Sequence, residues 1–216
     1  MACTTVRPPP VEGPPPIAAH AAPEGPAPST AAVPFSPRAV LALLPTAPPP
    51  APWHAGPTQD YAEHGSGLGV SLRYEAPFGH VDLYVYDADQ ADLRPGLDDL
   101  RAREQFTTAL QEIDLARQRG LYDSAQVLQA TQDSLQGDPW LHATVALVRQ
   151  GDAVESHLYL RVEHHHFVKV RASLPAPATD AARAGVLDLV VERHRSLLRL
   201  FGPTPGPSTP RSPTRL

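Results

Sequence analysis

Three consecutive histidines, His164 to His166, are the first residues whose type and spacing suggest chemistry. In an extended strand adjacent side chains point to opposite faces, so His164 and His166 share a face while His165 points away. An alternating pair of imidazoles can hold a metal ion, but the ion needs a third or fourth ligand. Glu163 lies on the His165 side and joins the pair only through a bend. The expectation is a solvated hairpin turn, with His164 and His166 as the candidate ligands if a metal binds.

The flanking residues are better ordered. Phe167, Lys169 and Arg171 alternate with Val168, Val170 and Ala172, while His157, Tyr159 and Arg161 alternate with Leu158, Leu160 and Val162. A turn over Glu163 to His165 joins the two runs. It leaves Leu158, Leu160, Val168 and Val170 as core and Tyr159, Arg161, Phe167, Lys169 and Arg171 as a ligand or partner face. Lys169 and Arg171 are expected to lay their stems on apolar surface and pair with Asp82 or a helix carboxylate. The functional reading of the same row is an anion- or partner-binding patch.

No catalytic set assembles from the rest. Ser156 and His157 are adjacent and so point apart in a strand, and no Gly-x-Ser-x-Gly elbow is present. His142 and His194 stand alone on a strand and a helix, and Asp82 and Asp87 are oddly spaced. Gly65 to Gly69 (GSGLG) precedes a strand pattern, the reverse of the order that brings a phosphate to a helix N-terminus, so it reads as an entry loop. No cofactor is implied.

The elements that carry these residues follow from periodicity. Val70, Leu72 and Tyr74 mark one half-buried strand, and His80 to Asp87 a second that pairs with it across Ala76 to Gly79. Leu97 to Arg119 spaces its apolar residues as a helix, with Asp98 and Asp99 at its N-terminal dipole and Gly120 as its stop. Strands are expected over Tyr122 to Thr131, Trp140 to Arg149, Ala153 to Val162 and His166 to Ser173, with a compact turn at Gln150-Gly151-Asp152. Thr179 is placed to cap a last helix, Asp180 to Phe201. The fold class is therefore α+β: a mostly antiparallel sheet of about six strands in ββαββββα order, with two packed helices.

Composition sets the boundaries. Of 27 prolines, 17 precede residue 58 and five follow Gly202. Residues 1–57 read as a disordered Pro/Ala-rich tether, 58–201 as the globular domain and 202–216 as a disordered Pro-rich tail. The chain carries −5 overall, with zero in residues 1–57 and +2 after Phe201, which leaves −7 for the domain. An acidic domain without a basic stripe argues against a nucleic-acid partner. No run is long and apolar enough for a transmembrane helix. The one cysteine, Cys3, excludes internal disulfides. Its neighbours Ala2, Thr4 and Thr5 look like the surroundings of a lipidated cysteine, a reading that requires a start upstream of Met1.

The stretches LGVSLRYEAP, HVDLYVYD and SHLYLRVEHHHFVKVRAS, with the long helix between, resemble an uncharacterised group of bacterial envelope proteins. Their strand and helix order is similar to the PsbP-like α/β sandwich. The resemblance implies an envelope or periplasmic location and transfers no catalytic residue. The function expected is a non-enzymatic binding or assembly module at the cell envelope, whose partner is a protein or small molecule. The alternatives are a small-molecule or metal-dependent enzyme using the His164–His166 hairpin, and a cytoplasmic protein-binding domain.

Overall fold

Four two-residue turns decide which strands become neighbours. Pro77-Phe78, Gln136-Gly137, Gln150-Gly151 and His164-His165 each separate two antiparallel strands. In the last three, both central residues have positive φ, the backbone twist that matches flanking strands in tight hairpins.

The computed structural model describes residues 34–202. The strands are β1 (His54–Asp60), β2 (Val70–Ala76), β3 (Gly79–Tyr86), β4 (Ser124–Leu135), β5 (Asp138–Arg149), β6 (Asp152–Glu163) and β7 (His166–Pro175). The helices are α1 (Pro37–Leu43), α2 (Leu100–Gln118) and α3 (Asp180–Phe201). All seven strands form one antiparallel sheet, ordered β1-β2-β3-β7-β6-β5-β4. After β3 the chain passes through α2 to the far edge, then returns by three hairpins until β7 docks on β3.

The α+β class and the antiparallel sheet hold, with one strand and one helix more than expected. The added helix lies in the Pro-rich stretch read as tether, and the added strand begins in it and ends at Asp60. Pro37 stands at the start of α1, where its missing N–H costs no hydrogen bond, and the Ser36 side chain caps the helix by accepting from Ala39 N–H. Burial supplies what propensity lacks: Val40 and Leu44 are fully buried against the α3 side of the sheet. Pro57 is tolerated because β1 is an edge strand with a register irregularity between Ala55 and Thr58. The expectations for residues 1–33 and 203–216, the Cys3 anchor among them, lie outside the described residues. No helix among the described residues is long and apolar enough to cross a membrane.

Smaller differences have local causes. α2 starts at Leu100 because Asp99 is its N-cap, accepting from the Arg101 and Arg94 backbone N–H groups and paired to the Arg101 guanidinium. Those donors hold the Asp99 carboxyl well below the usual carboxylate range. β4 runs to Leu135, beyond the expected Thr131, through a bulge between Val127 and Gln129 that breaks its alternation.

The two faces of the sheet are covered differently. α3 and α1 pack on a face built from Val70, Leu72, Tyr74, Val81, Leu83, Val85, Val168 and Val170. On the opposite face α2 lays Ala102, Phe106 and Ala109 over Leu141, Ala143, Leu158, Leu160, Val162 and Phe167. The β2 and β3 residues of that second face are largely polar: Ser71, Arg73, Asp82 and Tyr84. The helix leaves that half open.

Candidate functional site

The hairpin that first suggested a site is rearranged by one residue. His164 and His165 alone form its turn, and Glu163 pairs with His166. A two-residue turn therefore sets Tyr159 opposite Val170 and Arg161 opposite Val168, whereas Phe167, Lys169 and Arg171 face Val162, Leu160 and Leu158. Shifting the register by one exchanges faces, so the expected common face of Tyr159, Arg161, Phe167, Lys169 and Arg171 is split. Tyr159, Arg161 and Phe167 are buried, at 2%, 6% and 0% exposure. Lys169 and Arg171 remain partly accessible, on the α2 side.

The histidine turn is partly buried where a solvated one was expected. His164 stacks on Phe35 with ring centroids 4.6 Å apart, and its Nε2 donates to Gly202 O at 3.1 Å. His166 Nδ1 donates to His164 O at 2.7 Å, and His165 Nδ1 to Leu93 O at 2.9 Å. Burial pushes the His164 pKa down, against the opposing effects of Glu163 and the Gly202 carbonyl. Carbonyl partners thus fix a proton on one nitrogen of each ring. Among the described residues no group of three or more His, Cys, Asp or Glu side chains is arranged to hold a metal ion.

The open half of the α2 face gathers the accessible charge. A cleft of about 270 Å³ is lined by Arg73, His80, Asp82, Tyr84, Tyr122, Arg149 and Arg171, among others. The register explains the grouping: Arg73, Asp82 and Arg171 are successive cross-strand partners on β2, β3 and β7. Asp82, expected to pair with Lys169 or Arg171, instead receives a bidentate pair from Arg73, at 2.8 and 2.9 Å. Arg171 donates to Tyr122 Oη at 2.9 Å, and Arg149 is exposed at the rim. Three guanidinium groups thus meet one carboxylate, which leaves the cleft positive within an acidic chain.

A second hollow, about 320 Å³, continues from the first across Tyr84 toward Ser66, Gly67 and Leu68. Lys169 forms its floor. Its ammonium lies 4.8 Å from the Tyr84 ring centroid, 5.2 Å from that of Tyr86 and 3.9 Å from Glu112 of α2, the helix carboxylate the sequence suggested. Burial lowers the Lys169 pKa, against the opposing effect of Glu112, and raises that of Tyr84 to about 12. The GSGLG segment forms one wall; a Cβ at Gly69, whose φ is 67°, would come within 1.9 Å of Val85 O. Glycine is required there for close packing of the loop on β3.

Two polar networks lie on the α3 face. In one, Glu163 Oε2 accepts from His194 Nε2 and from the Arg161 guanidinium, each at 3.0 Å, while Asp138 approaches both side chains at 3.3 to 3.5 Å. Arg161 also lies over the Trp140 ring. This carboxylate–imidazole–carboxylate row contains no nucleophile, and it ties α3 to β5 and β6. In the other, His142 and His157 face one another between Asp133 and Glu155. Sequence reading treated His142 as an isolated residue. The signal that finds it is the Gln150-Gly151 turn, which sets His142 opposite Tyr159 and diagonal to His157.

The class these elements define is an α+β layered domain with one antiparallel sheet and helices on both faces. No family model and no curated protein matches the chain. Among solved structures it is similar to cyanobacterial PsbP (CyanoP) from Synechocystis sp. PCC 6803, with TM-score 0.46 and 13% identity over 67% of this chain and 81% of that one. It is also similar to the Saccharomyces cerevisiae Ran-binding protein Mog1p, with TM-score 0.32 and 14% identity over 67% and 82%. These are likenesses of fold, and no site residue is carried across from them.

Proposed function

We propose that the domain is a non-catalytic binding module whose partner presents an acidic, extended segment to the open half of the α2 face. The observation that supports this reading is the concentration of Arg73, Arg149 and Arg171 around the single carboxylate of Asp82, on a sheet half that α2 does not cover. Arg149 and Arg171 are the guanidinium groups left to take a partner's carboxylates, a role that suits their planar donor fork. The adjoining hollows share Tyr84 and run along the sheet to Gly67, a shape that favours an extended segment over a compact ligand. Tyr84 and Tyr122 offer ring faces beside the cations, a pairing common at protein interfaces. The partner segment would lie across the strands, its acidic side chains toward Arg149 and Arg171.

An oligoglutamate peptide is the probe for this reading. Its affinity is measured by fluorescence anisotropy at about 0.05 and about 0.15 M salt, a range over which screening changes appreciably. Exchanging both arginines, Arg149→Glu with Arg171→Glu, is expected to weaken binding at least about tenfold, each lost charge-assisted bond contributing about 1.5 kcal/mol or more. Equal affinity in the double variant, or binding indifferent to salt, contradicts the reading.

The location we infer is the cell envelope, on the strength of the residues around Cys3, the Pro/Ala-rich segment behind them and the sequence resemblance. Fractionation of the native protein with lipid labelling, compared with Cys3→Ser, tests it. An unlabelled protein in the cytoplasmic fraction removes this part of the proposal and leaves the cleft reading standing.

A further inference from the structure

On the side of the sheet away from the cleft, a row of polar side chains that the binding reading does not use crosses β4, β5 and β6 and ends on α3. At its centre His142 Nε2 and His157 Nδ1 lie 3.2 Å apart, on adjacent strands. Carboxylates engage the outer nitrogens: His142 Nδ1 donates to Asp133 Oδ2 at 2.7 Å, and His157 Nε2 to Glu155 Oε1 at 2.9 Å. The two carboxylates differ in what else they hold. Glu155 takes a bidentate pair from Arg183 of α3 at 2.6 and 2.8 Å, whereas Asp133 takes the Thr131 hydroxyl at 2.8 Å and, among the described residues, pairs with no guanidinium.

Proton counting decides what the centre of the row needs. An ionised carboxylate only accepts, so each outer nitrogen carries a proton. Two neutral imidazoles have no proton beyond those, and their inner nitrogens would then oppose lone pair to lone pair. The Thr144 hydroxyl is 3.4 Å from His157 Nδ1, at the outer limit for a hydrogen bond, and leaves His142 Nε2 without a donor. Two imidazolium rings would oppose N–H to N–H instead. One added proton, and one only, satisfies every nitrogen, donated along the line from one ring to the other.

The surroundings decide which ring owns that proton. The charged and titratable groups facing the pair are Asp133 from β4, Glu155 and Tyr159 from β6, and Arg183 from α3, which also pairs with Asp180. Glu155 already has Arg183 as its counter-charge. Burial lowers the His157 pKa, and the charges of His142 and Arg183 add to that against the pull of Glu155, so His157 is the neutral acceptor. The charge of Asp133 is left for His142. The Tyr159 ring, kept uncharged by burial, stacks on His142 at 4.3 Å and 4° and presents a π face to a cation there. We propose that His142 is held as an imidazolium that donates Nε2–H to a neutral His157, a one-proton latch joining β4 and β5 to β6 and, through Glu155 and Arg183, to α3. Loss of that proton opposes the inner lone pairs and parts the row at its centre. A proton that the native pair keeps and the unfolded chain releases contributes stability that is present at and below about pH 6.5 and is lost as the native pair gives it up at higher pH. The sign is opposite to that of His157, whose burial favours the neutral ring.

Long-range proton–nitrogen NMR of the ring nitrogens, in the untagged full chain at about pH 7.5, tests the assignment, since an ordinary exposed histidine is about 90% neutral there. Both His142 nitrogens are expected to carry protons, and His157 to carry one on Nε2 alone. Asp133→Asn, which removes the counter-charge and keeps both rings, is expected to move the loss of the His142 Nε2 proton down by about one pH unit or more. The urea midpoint of the native chain is expected to fall between about pH 6.5 and about pH 8.5, and His142→Phe, which keeps a ring against Tyr159, to remove that fall. A singly protonated His142 in the native chain at about pH 7.5, an unmoved titration in Asp133→Asn, or an equal fall in His142→Phe overturns the proposal. The first readout uses the native chain and decides even where a variant does not fold.

Discussion

Leu160 pairs with Lys169 across the β6–β7 hairpin, one position beyond the Val168 that a three-residue turn would bring opposite it. That single step places Lys169 and Arg171 on the α2 face, over the cleft, and sends Arg161 and Tyr159 into the core under α3. The positive cleft thus depends on the turn being His164-His165 and nothing longer.

A glycine inserted between His164 and His165 lengthens that turn and presses the register toward exchanged faces. The expected result is a loss of stability larger than about 2 kcal/mol, since buried Phe167 and Val168 cannot both keep their places. Urea unfolding measures it, and the same insertion after Glu63, in the loop between β1 and β2, is expected to change little. A tolerated insertion at the turn contradicts the register argument.

Glu163 is 2% exposed and its Oε2 accepts from both Arg161 and His194. Glu163→Ala leaves a buried guanidinium without its counter-charge, and the expected cost is about 3–5 kcal/mol. Chemical unfolding checks this, and a cost below about 1 kcal/mol would mean that Asp138 suffices as the partner of Arg161.

Much of the fold was legible because it rests on local chemistry. The alternation through Val70, Leu72 and Tyr74, the Thr179 cap and the bounds of α3 all follow from period and capping. What was not legible depended on tertiary contact. The helix at Pro37 forms because Val40 and Leu44 are buried against the sheet, and no local propensity announces that in a Pro/Ala run. The site suffered from turn length: one residue at His164 separated Phe167, Lys169 and Arg171 from Tyr159 and Arg161. Arg73, Tyr122 and Arg149 reach the cleft from β2, the loop after α2 and β5, a grouping visible only once the sheet order is known.

His164 predicts an acid sensitivity. Burial lowers its pKa; Glu163 and the Gly202 carbonyl oppose the shift, and His165 and His166 reinforce it. The unfolded chain therefore binds this proton first, so the stability present above about pH 6.5 is lost as pH falls below that value. Burial lowers His80 and His157 as well, with the same sign. Urea midpoints at about pH 8 and about pH 5 are expected to differ, and His164→Phe, which keeps the stack on Phe35, is expected to narrow the difference. An unchanged difference in that variant assigns the effect elsewhere.

Arg193 holds the amino-terminal segment onto the domain. Buried in α3, it donates to Ala47 O and Pro48 O, each at 2.9 Å, and lies over the Tyr74 ring. A lysine cannot reproduce that fork, so Arg193→Lys is expected to cost about 2–4 kcal/mol. Faster amide hydrogen exchange in α1 than in β5 to β7 would localise the loss, and uniform exchange across the domain would contradict it.

The cleft is tested most directly by mapping where an acidic ligand lands. Backbone amide shifts of the full chain, recorded by NMR during titration with oligoglutamate, are expected to move at Arg73, Tyr84, Tyr122, Arg149 and Arg171 and to stay fixed along α3. Shifts concentrated on α3 or β4, or none at saturating peptide, would contradict the assignment of the open half of the α2 face as the binding surface.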